Sequence, residues 1–438
     1  MLTLFLTRGC RRSLGLPELQ QPPTLATAFG GSSRYPDVVT STDVLIIGAG
    51  PAGTAAAITL VDNGTSVMVV DKATFPRDKC CGDGLTTAAL RILEGLGFTP
   101  DMVPSWQEVN AAWVRSPSGR EVSLPFPEGR GVYGAVVPRR ELDAAMVQLA
   151  RSKGAEIREG CALASIRSMG EAVEAEVDGM GTVHAKYVIA ADGMWSPTRK
   201  MLGLAGEPYL GEWHAFRQYA ENVTGSSADK LWVWFEPDLL PGYMWSFPLP
   251  GNRANVGFGI LRDGVRKVQY MKDLWPELLA RPHVAAALGP NVTWPERHTA
   301  WPIPARIDKA VYGHDRVLFV GDAVAATDAL TGEGIGQALL TGTLAADAIT
   351  HATSVSAVQA AYATSVRHHL LADHKMSMLL GRALKHDRGA RGSIRLAGST
   401  EWTRRHFARW LFEDEPRAIL ATPKRWHRHF LDQSGAYR

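Results

Sequence analysis

The sequence is poor in cysteine and lacks long apolar runs. Its 438 residues include four cysteines, Cys10, Cys80, Cys81 and Cys161. Two of them are adjacent and the spacing fits no zinc site, so we expect neither disulfides nor a bound metal. No apolar stretch approaches the roughly 18 residues of a transmembrane helix. These absences favour a cytoplasmic protein in a reducing compartment.

A strong excess of charge is also missing. The 47 Lys and Arg residues nearly balance the 44 Asp and Glu residues, which leaves a formal net charge of +3. This balance provides no global field for nucleic acid, and the sequence contains no recognisable nucleic-acid-binding module. Hydrophobic residues make up 45% of the chain, which indicates a substantial core and excludes disorder as the main state.

The first 40 residues differ from the rest. Their short apolar run precedes the arginines, which reverses the order found in a secretory signal peptide. We predict that residues 1–40 form a disordered leader or reflect a start placed too far upstream. A transit peptide is the alternative.

A dinucleotide-binding pattern begins at residue 43. The apolar run 43–47 leads directly into GAGPAG at 48–53, which fits G-x-G-x-x-G. A helix-forming stretch and a second apolar run, 67–70, follow, and Asp71 ends that run. The first two glycines permit a tight turn and close approach to a pyrophosphate, the third permits helix packing, and the acid receives ribose hydroxyls. The predicted cofactor-binding residues here are Gly48, Gly50, Pro51, Ala52, Gly53, Asp71 and Lys72.

Two later segments repeat the pattern of a strand that ends in an acid-glycine turn. An apolar run at 187–191 is followed by Asp192 and Gly193, and another at 316–320 is followed by Gly321 and Asp322. The loop LTGEGIG at 330–336 then precedes an Ala- and Leu-rich helix. Together with the glycine motif, these segments indicate FAD rather than NAD.

In these elements the sequence resembles the FAD-dependent superfamily of aromatic hydroxylases, halogenases and geranylgeranyl reductases. The resemblance implies that Asp322 binds the ribityl chain and that Arg139, four residues before an acid, contacts the cofactor. We expect the backbone N–H groups of residues 334–336 to stabilise the reduced flavin. The further residues that the resemblance assigns to the cofactor are Cys81, Gly82, Asp192, Gly193, Gly321, Gly332, Gly334 and Ile335.

Two local motifs narrow the resemblance to one family. The segment FPRDKCCGDGL at 75–85 and the segment YMWSFP at 243–248 are similar to motifs of geranylgeranyl reductases and of related menaquinone-tail reductases. One departure is Ala329, where the family usually has proline, and this substitution predicts a looser loop. The resemblance implies reduction of carbon–carbon double bonds in an isoprenoid or prenyl chain. The alternative is a monooxygenase or hydroxylase acting on an aromatic or polyketide-like small molecule.

The resemblance also suggests catalytic residues without identifying a proton donor. Cys81 is the position expected near the flavin ring, although it can equally be a small buried hydrophobe. Tyr243 and Trp245 are the other candidates, with an aromatic wall as the simpler role for Tyr243. The electron donor stays open between NADPH and a reduced electron-carrier protein, because no second glycine fingerprint appears.

The predicted fold is α/β. A Rossmann-type FAD-binding domain, 41–204 and 311–350, is interrupted by a mostly antiparallel β-sheet substrate domain at 205–310. Short strands at 105–135 can also belong to the substrate domain. Tryptophans concentrate in the inserted segment, and we expect an aromatic face over the flavin, with plain core packing as the alternative for each ring. These tryptophans are Trp213, Trp232, Trp234, Trp245, Trp275, Trp294 and Trp301.

The carboxyl-terminal region, 351–438, is predicted to be helical, basic and aromatic. The histidines at 368–374 suggest a solvated helix face rather than a metal site. The stretches 404–412 and 424–428 mix cations with aromatic rings. Such a composition suits an anionic bilayer surface and suits packing on the body equally well, so peripheral membrane contact remains one of two interpretations.

Overall fold

The computed structural model describes residues 40–204, 209–262, 268–412, 416–423, 426 and 433–438. The predicted leader up to residue 39, Cys10 and the basic stretch at 424–428, except Trp426, lie outside these residues. The strands are β1 (Thr40–Ile47), β2 (Val67–Asp71), β3 (Gly84–Thr86), β4 (Gln107–Glu108), β5 (Ala111–Arg115), β6 (Glu121–Pro125), β7 (Gly134–Val136), β8 (Glu156–Glu159), β9 (Leu163–Ser168), β10 (Val173–Val177), β11 (Gly181–Ala190), β12 (Trp213–Ala220), β13 (Leu231–Trp234), β14 (Tyr243–Leu249), β15 (Arg253–Leu261), β16 (Thr299–Ile303), β17 (Gly313–His314) and β18 (Val317–Phe319). The helices are α1 (Pro51–Asp62), α2 (Thr87–Gly95), α3 (Arg139–Ser152), α4 (Pro197–Met201), α5 (Val268–Leu279), α6 (Pro282–Leu288), α7 (Ile335–His351), α8 (Val355–Val366), α9 (Ala372–Leu384), α10 (Asp387–Ala397) and α11 (Glu401–Leu411).

The first sheet carries the glycine motif. Its order is β17-β18-β11-β1-β2-β8, and its central pairs, from β18 to β8, are all parallel. Parallel strands are covered on both faces, which explains the apolar second half of β1 and the apolar run of β2. Helices α1 and α7 pack closely at Gly342, which has no side chain to separate them. A Cβ on Gly342 would lie 2.1 Å from the carbonyl oxygen of Ala52. Strands β9 and β10 extend this sheet from β11 as an antiparallel pair.

The second sheet is inserted between the pieces of the first. Its order is β16-β12-β15-β14-β13-β5-β6, and every pair is antiparallel except β13 with β5. Residues 111–125 therefore supply two strands of this sheet, and residues 213–303 supply the other five. A small third sheet, β3-β7-β4, is formed by three short strands between Gly84 and Val136. The predicted α/β fold class is confirmed, with an inserted antiparallel sheet and carboxyl-terminal helices.

The expected aromatic face over the flavin is wrong for four of the tryptophans. The rings of Trp232 and Trp234 do lie on one face of β13, with centroids 5.7 Å apart and planes 9° apart. That face packs against α5 and α6. Trp275 of α5 belongs to the same core, and Trp294 packs against it. Strand alternation correctly predicts that the two indoles share a face, but the helices that cover that face come from residues farther along the chain.

The carboxyl-terminal helices hold one exception to the predicted solvated histidine face. His374 in α9 is only 6% exposed, and its Nε2 lies 3.1 Å from Oδ1 of Asp308. His368 and His369 lie in a π-helical turn, Arg367–Leu371, between α8 and α9. Among the described helices, none combines the length and the apolar character that a membrane-crossing segment requires.

Candidate active site

The glycine motif forms a tight turn between β1 and α1. Gly48 has a φ of +107°, and a Cβ on it would lie 2.4 Å from the carbonyl oxygen of Ala191. A Cβ on Gly53 would lie 1.8 Å from the carbonyl oxygen of Gly48, so this position also excludes a side chain. Pro51 begins α1, where its missing N–H costs no helical hydrogen bond. The turn thereby presents the amino end of α1 to an anion.

The acid at the end of β2 closes the same turn. Asp71 Oδ2 accepts a hydrogen bond of 2.8 Å from the N–H of Ala49, and its Oδ1 accepts one of 2.8 Å from Ala73. Each carboxylate oxygen can accept a second hydrogen bond, so these contacts leave capacity for ribose hydroxyls. Asp71 and Lys72 both face the large cavity of the fold.

That cavity has a volume of about 960 Å³ and runs from the glycine turn to the second sheet and the carboxyl-terminal helices. It brings together almost all the residues predicted from the sequence. Gly53 is the exception, because it packs against the turn and does not line the space. The predicted residues that line it are Gly48, Gly50, Pro51, Ala52, Asp71, Lys72, Cys81, Gly82, Arg139, Asp192, Gly193, Gly321, Asp322, Gly332, Gly334, Ile335, Tyr243 and Trp245.

Polar groups on the cavity wall fit a dinucleotide cofactor. Asp192 Oδ1 and Thr299 Oγ1 are buried and have no hydrogen-bond partner among the described residues, although both residues line the cavity. Buried polar groups normally have partners, so these two atoms are suited to a bound ligand. Arg139 is fixed by Asp143, with Nε–Oδ1 and Nη2–Oδ2 distances of 2.7 and 2.8 Å. The residues present therefore fit the predicted FAD.

Lys79 adds a cation to the cavity wall. Its ammonium lies 3.5 Å from the ring centre of Trp301, and both residues line the cavity. Burial lowers the pKa of Lys79 to about 8, while Asp322 acts to raise it. The lysine therefore still carries its charge at neutral pH.

The Cys81 loop is organised by a buried carboxylate that sequence reasoning missed. Asp83 has a φ of +64° and is fully buried. Its carboxylate accepts hydrogen bonds from the Tyr219 hydroxyl at 2.6 Å, the Asn255 amide at 2.7 Å and the Arg139 N–H at 3.2 Å. Burial raises its pKa to about 6, against these hydrogen bonds and the charge of Arg217.

The predicted catalytic residues meet at this loop. Asn255 donates to the carbonyl oxygen of Cys81 at 2.8 Å and accepts from the indole N–H of Trp245 at 3.0 Å. Burial raises the pKa of the Cys81 thiol to about 12, so the thiol is neutral near pH 7. The hydroxyl of Tyr243 donates to the carbonyl oxygen of Thr331, and burial raises its pKa as well. None of the three ionises readily at neutral pH.

The loop before α7 contains a second missed acid. Glu333 lines the cavity, and its Oε1 accepts a hydrogen bond of 2.7 Å from the N–H of Gly336. The expectation that this N–H group is available to the flavin is therefore wrong. Burial raises the pKa of Glu333 to about 7, against the backbone N–H groups of Gly336 and Ile335 and the charge of Arg417. A half-buried carboxyl before a helix is recognisable only after the helix is placed.

The same loop is held without the expected proline at 329. Oδ1 of Asp328 accepts hydrogen bonds from the N–H groups of Leu330 and Thr331 at 2.9 and 2.8 Å. The Thr331 hydroxyl donates to the same oxygen at 2.9 Å. The sequence predicts a looser loop, but the side chain of Asp328 forms a turn that fixes the two residues after Ala329.

One branch of the cavity is almost wholly apolar. Its walls come from β5, β6, β13, β14, α9, α10 and α11. Three of the predicted tryptophans, Trp213, Trp245 and Trp301, also line the cavity. Val233 of β13 faces this space, while its neighbours Trp232 and Trp234 face the opposite core. The apolar side chains of this branch are Val114, Val122, Leu124, Leu231, Val233, Phe235, Phe247, Leu380, Leu384, Ile394, Ala397, Phe407, Trp410, Leu411 and Phe412.

Comparison with known proteins is consistent with this geometry. The FAD binding domain family matches residues 41–368. The menaquinone reductase of Mycolicibacterium smegmatis is 31% identical over 358 residues, which cover 75% of this chain and 81% of that protein. Digeranylgeranylglycerophospholipid reductase 1 of Methanopyrus kandleri is 32% identical over 314 residues, which cover 70% of this chain and 79% of that protein. The chain belongs to the geranylgeranyl reductase family of FAD-dependent oxidoreductases. The family resemblance drawn from the sequence motifs is confirmed.

Solved structures place this family member in a wider fold group. A geranylgeranyl bacteriochlorophyll reductase-like protein of Thermoplasma acidophilum has a TM-score of 0.73 at 20% identity, covering 88% of this chain and 99% of that chain. The flavin-dependent brominase Bmp2 has a TM-score of 0.64 at 20% identity, covering 81% of this chain and 98% of that chain. The likeness at these identities shows the fold alone, since one fold hosts different reactions.

Proposed function

We propose that this reductase saturates carbon–carbon double bonds in an isoprenoid chain, such as a polyprenyl quinone tail or a prenyl lipid. The observation that carries the proposal is the apolar branch of the cavity, which is continuous with the predicted flavin site. Walls of apolar side chains suit a prenyl chain and offer few partners for a polar aromatic substrate. The relatives named as reductases of menaquinone and of a digeranylgeranyl lipid support the same substrate class.

The residues divide into cofactor and substrate groups. FAD, reduced by an external donor, supplies a hydride to the substrate. The glycine turn, Arg139, Asp192 and Asp322 would hold the cofactor, while Lys79 provides positive charge on the same wall. Tyr243, Trp245 and Phe247 would separate the reacting region from the apolar branch and exclude water from it. We propose NADPH or a reduced electron-carrier protein as the external donor.

We further propose that α10 and α11 contact an anionic bilayer, from which the lipid substrate enters. Their inner residues Ile394 and Phe407 line the apolar branch. Their outer surfaces carry Leu396 and Trp402, which are 64% and 65% exposed. The two helices together contain six arginines and two acidic residues. Exposed apolar side chains among cations are typical of helices that lie in a membrane interface.

An oxygen-free reoxidation experiment tests the proposed reaction. The FAD-loaded protein is reduced with dithionite, freed of excess reductant and mixed with a polyprenyl lipid in detergent. We expect the absorbance of oxidised flavin to return with the unsaturated lipid and not with its fully saturated analogue. Equal reoxidation by the two lipids, or none with either, contradicts the proposal. Reoxidation that requires oxygen supports the alternative, a monooxygenase.

A further inference from the structure

Reduction of an isolated double bond needs a proton as well as a hydride, and the described residues offer few sources. Lys79 lines the cavity, but its ammonium is held as a cation against the ring of Trp301. The neighbouring weak acids on the cavity wall are Cys81, Asp83, Tyr243 and Glu333. The hydroxyl of Tyr243 is engaged by the carbonyl oxygen of Thr331. A neutral thiol with a pKa of about 12 is a weak acid, so Cys81 is also poorly suited.

Asp83 is better explained as a structural carboxylate. Its two oxygens accept three hydrogen bonds, from Tyr219, Asn255 and the N–H of Arg139. These contacts tie the Cys81 loop to β12 and β15, and two of the three donors bond the same oxygen, Oδ2. A proton added to Oδ2 would compete with both of those donors. Donation from Asp83 would therefore require the loop to rearrange.

Glu333 is not held by several side-chain donors as Asp83 is, and its protonation would not require a loop to rearrange. Its Oε1 accepts a hydrogen bond of 2.7 Å from the N–H of Gly336, and the N–H of Ile335 also points to the carboxyl. A protonated carboxyl still accepts at one oxygen, so this helix-start contact is compatible with both protonation states. The nearby cation, Arg417, forms an ion pair with Asp328, and no ion pair joins Glu333 to a cation in the part of the chain that the structure describes. Glu333 is thus a cavity acid free to gain and lose a proton.

We propose that Glu333 is the catalytic acid that protonates the reacting double bond. The inference rests on the proposed function. In the step, the π bond opens and one carbon forms a C–H bond with the hydride that FAD supplies. The other carbon forms a C–H bond with the proton of the Glu333 carboxyl, whose O–H bond breaks to leave a carboxylate. The substrate gains two hydrogens, FAD returns to its oxidised form, and solvent reprotonates Glu333.

The charges around Glu333 favour its protonation when the flavin is reduced. The groups that face it are Arg417, Asp328, Tyr243 and Cys81. Burial raises its pKa to about 7, so the acid and the carboxylate coexist near neutral pH. Negative charge added to a nearby cofactor raises the pKa of a carboxyl further. Glu333 should therefore take up a proton as the cofactor gains its electrons.

Anaerobic potentiometry tests proton uptake without any substrate. The midpoint potential of the bound FAD is measured between about pH 7 and 9 in the parent protein, in Glu333→Gln and in Glu171→Gln, a control at an exposed acid. We expect two protons per two electrons in the parent and in the control, and one proton per two electrons in Glu333→Gln. Identical slopes in all three proteins overturn the proposal.

The rate of product formation then shows whether Glu333 donates its proton to the substrate or only takes one up. We expect Glu333→Gln, with FAD bound, to form the saturated lipid about 10²- to 10⁴-fold more slowly in a single turnover. If Glu333→Gln loses the second proton but forms product at the parental rate, then Glu333 takes up a proton without donating it to the substrate. That result overturns the proposal. If the parent takes up the proton and yet saturates no prenyl chain, the proposed function fails instead, and the potentiometric result identifies that case.

Discussion

The guanidinium of Arg417 forms a buried ion pair with the carboxylate of Asp328, which begins the loop predicted to contact the flavin. The two side chains are 2% and 4% exposed. Oδ2 of Asp328 also accepts a hydrogen bond of 2.7 Å from Ser377, and Arg417 donates to the Thr331 hydroxyl at 3.1 Å. A segment near the carboxyl end therefore holds the flavin loop, although it lies beyond residues 41–368, which match the FAD binding domain.

Removal of Arg417 should loosen that loop. We expect Arg417→Met to lower the free energy of unfolding by about 3–5 kcal/mol, because it leaves the Asp328 charge buried without its partner. FAD affinity should fall with it. Urea unfolding and FAD release measure the two effects, with the exposed Arg395→Met as control. A loss no larger than that of the control would contradict the assigned ion pair.

Asp322 should decide whether the protein retains its cofactor. Its carboxylate lies on the cavity wall, 3.4 Å from the Thr327 hydroxyl. We expect Asp322→Ala to purify largely without flavin, because the ribityl hydroxyls lose their acceptor. The ratio of flavin to protein absorbance measures this, with Asp178→Ala, an exposed turn residue, as control. Full flavin content in Asp322→Ala would refute the placement of the ribityl chain.

Filling the apolar branch should change the preference for chain length. Ala397 in α10 is 3% exposed and lines this branch, so Ala397→Phe would occupy space that a long chain needs. We expect KM for a long polyprenyl lipid to rise roughly tenfold and KM for a short prenyl substrate to change little. FAD content and urea unfolding show whether the fold survives. Ala360→Phe, on the exposed side of α8, is the control, and an equal rise for both substrates would argue against the branch as the chain site.

The exposed apolar residues of α10 and α11 should determine membrane binding. We expect the double variant Leu396→Ala, Trp402→Ala to bind phosphatidylglycerol vesicles at least roughly tenfold more weakly, since each side chain loses apolar burial. Binding by the parent should also weaken with added salt, because the helices carry an excess of arginine. Co-sedimentation measures both, with Tyr270→Ala, an exposed residue of α5, as control. Unchanged binding in the double variant would contradict the proposed surface.

Local sequence predicts the elements that form the proposed cofactor half of the site. The turn from β1 to α1 depends on glycines within six residues, and the strand before Asp322 reads as a continuous apolar run. These patterns do not need distant partners. The family motifs at 75–85 and 243–248 suggested Cys81 and Trp245 as separate catalytic candidates, and Asn255 connects the two residues in the structure.

The missed features depend on partners that are far apart in the chain. Asp83 is defined by Tyr219 and Asn255, which lie 136 and 172 positions away. The face of β13 that carries its tryptophans is core only because α5 and α6 cover it. Glu333 is unusual because it faces the cavity and forms no ion pair of its own among the described residues, and neither property is visible in the letters LTGEGIG.

The mass of the product tests the central claim most directly. Reduced, FAD-loaded protein is incubated with a polyprenyl lipid under argon and, in parallel, under oxygen, and the lipid is analysed by mass spectrometry. We predict a gain of two hydrogens for each double bond reduced, under argon and without added oxygen atoms. A product that forms only under oxygen and carries an extra oxygen atom would contradict the account and identify a monooxygenase.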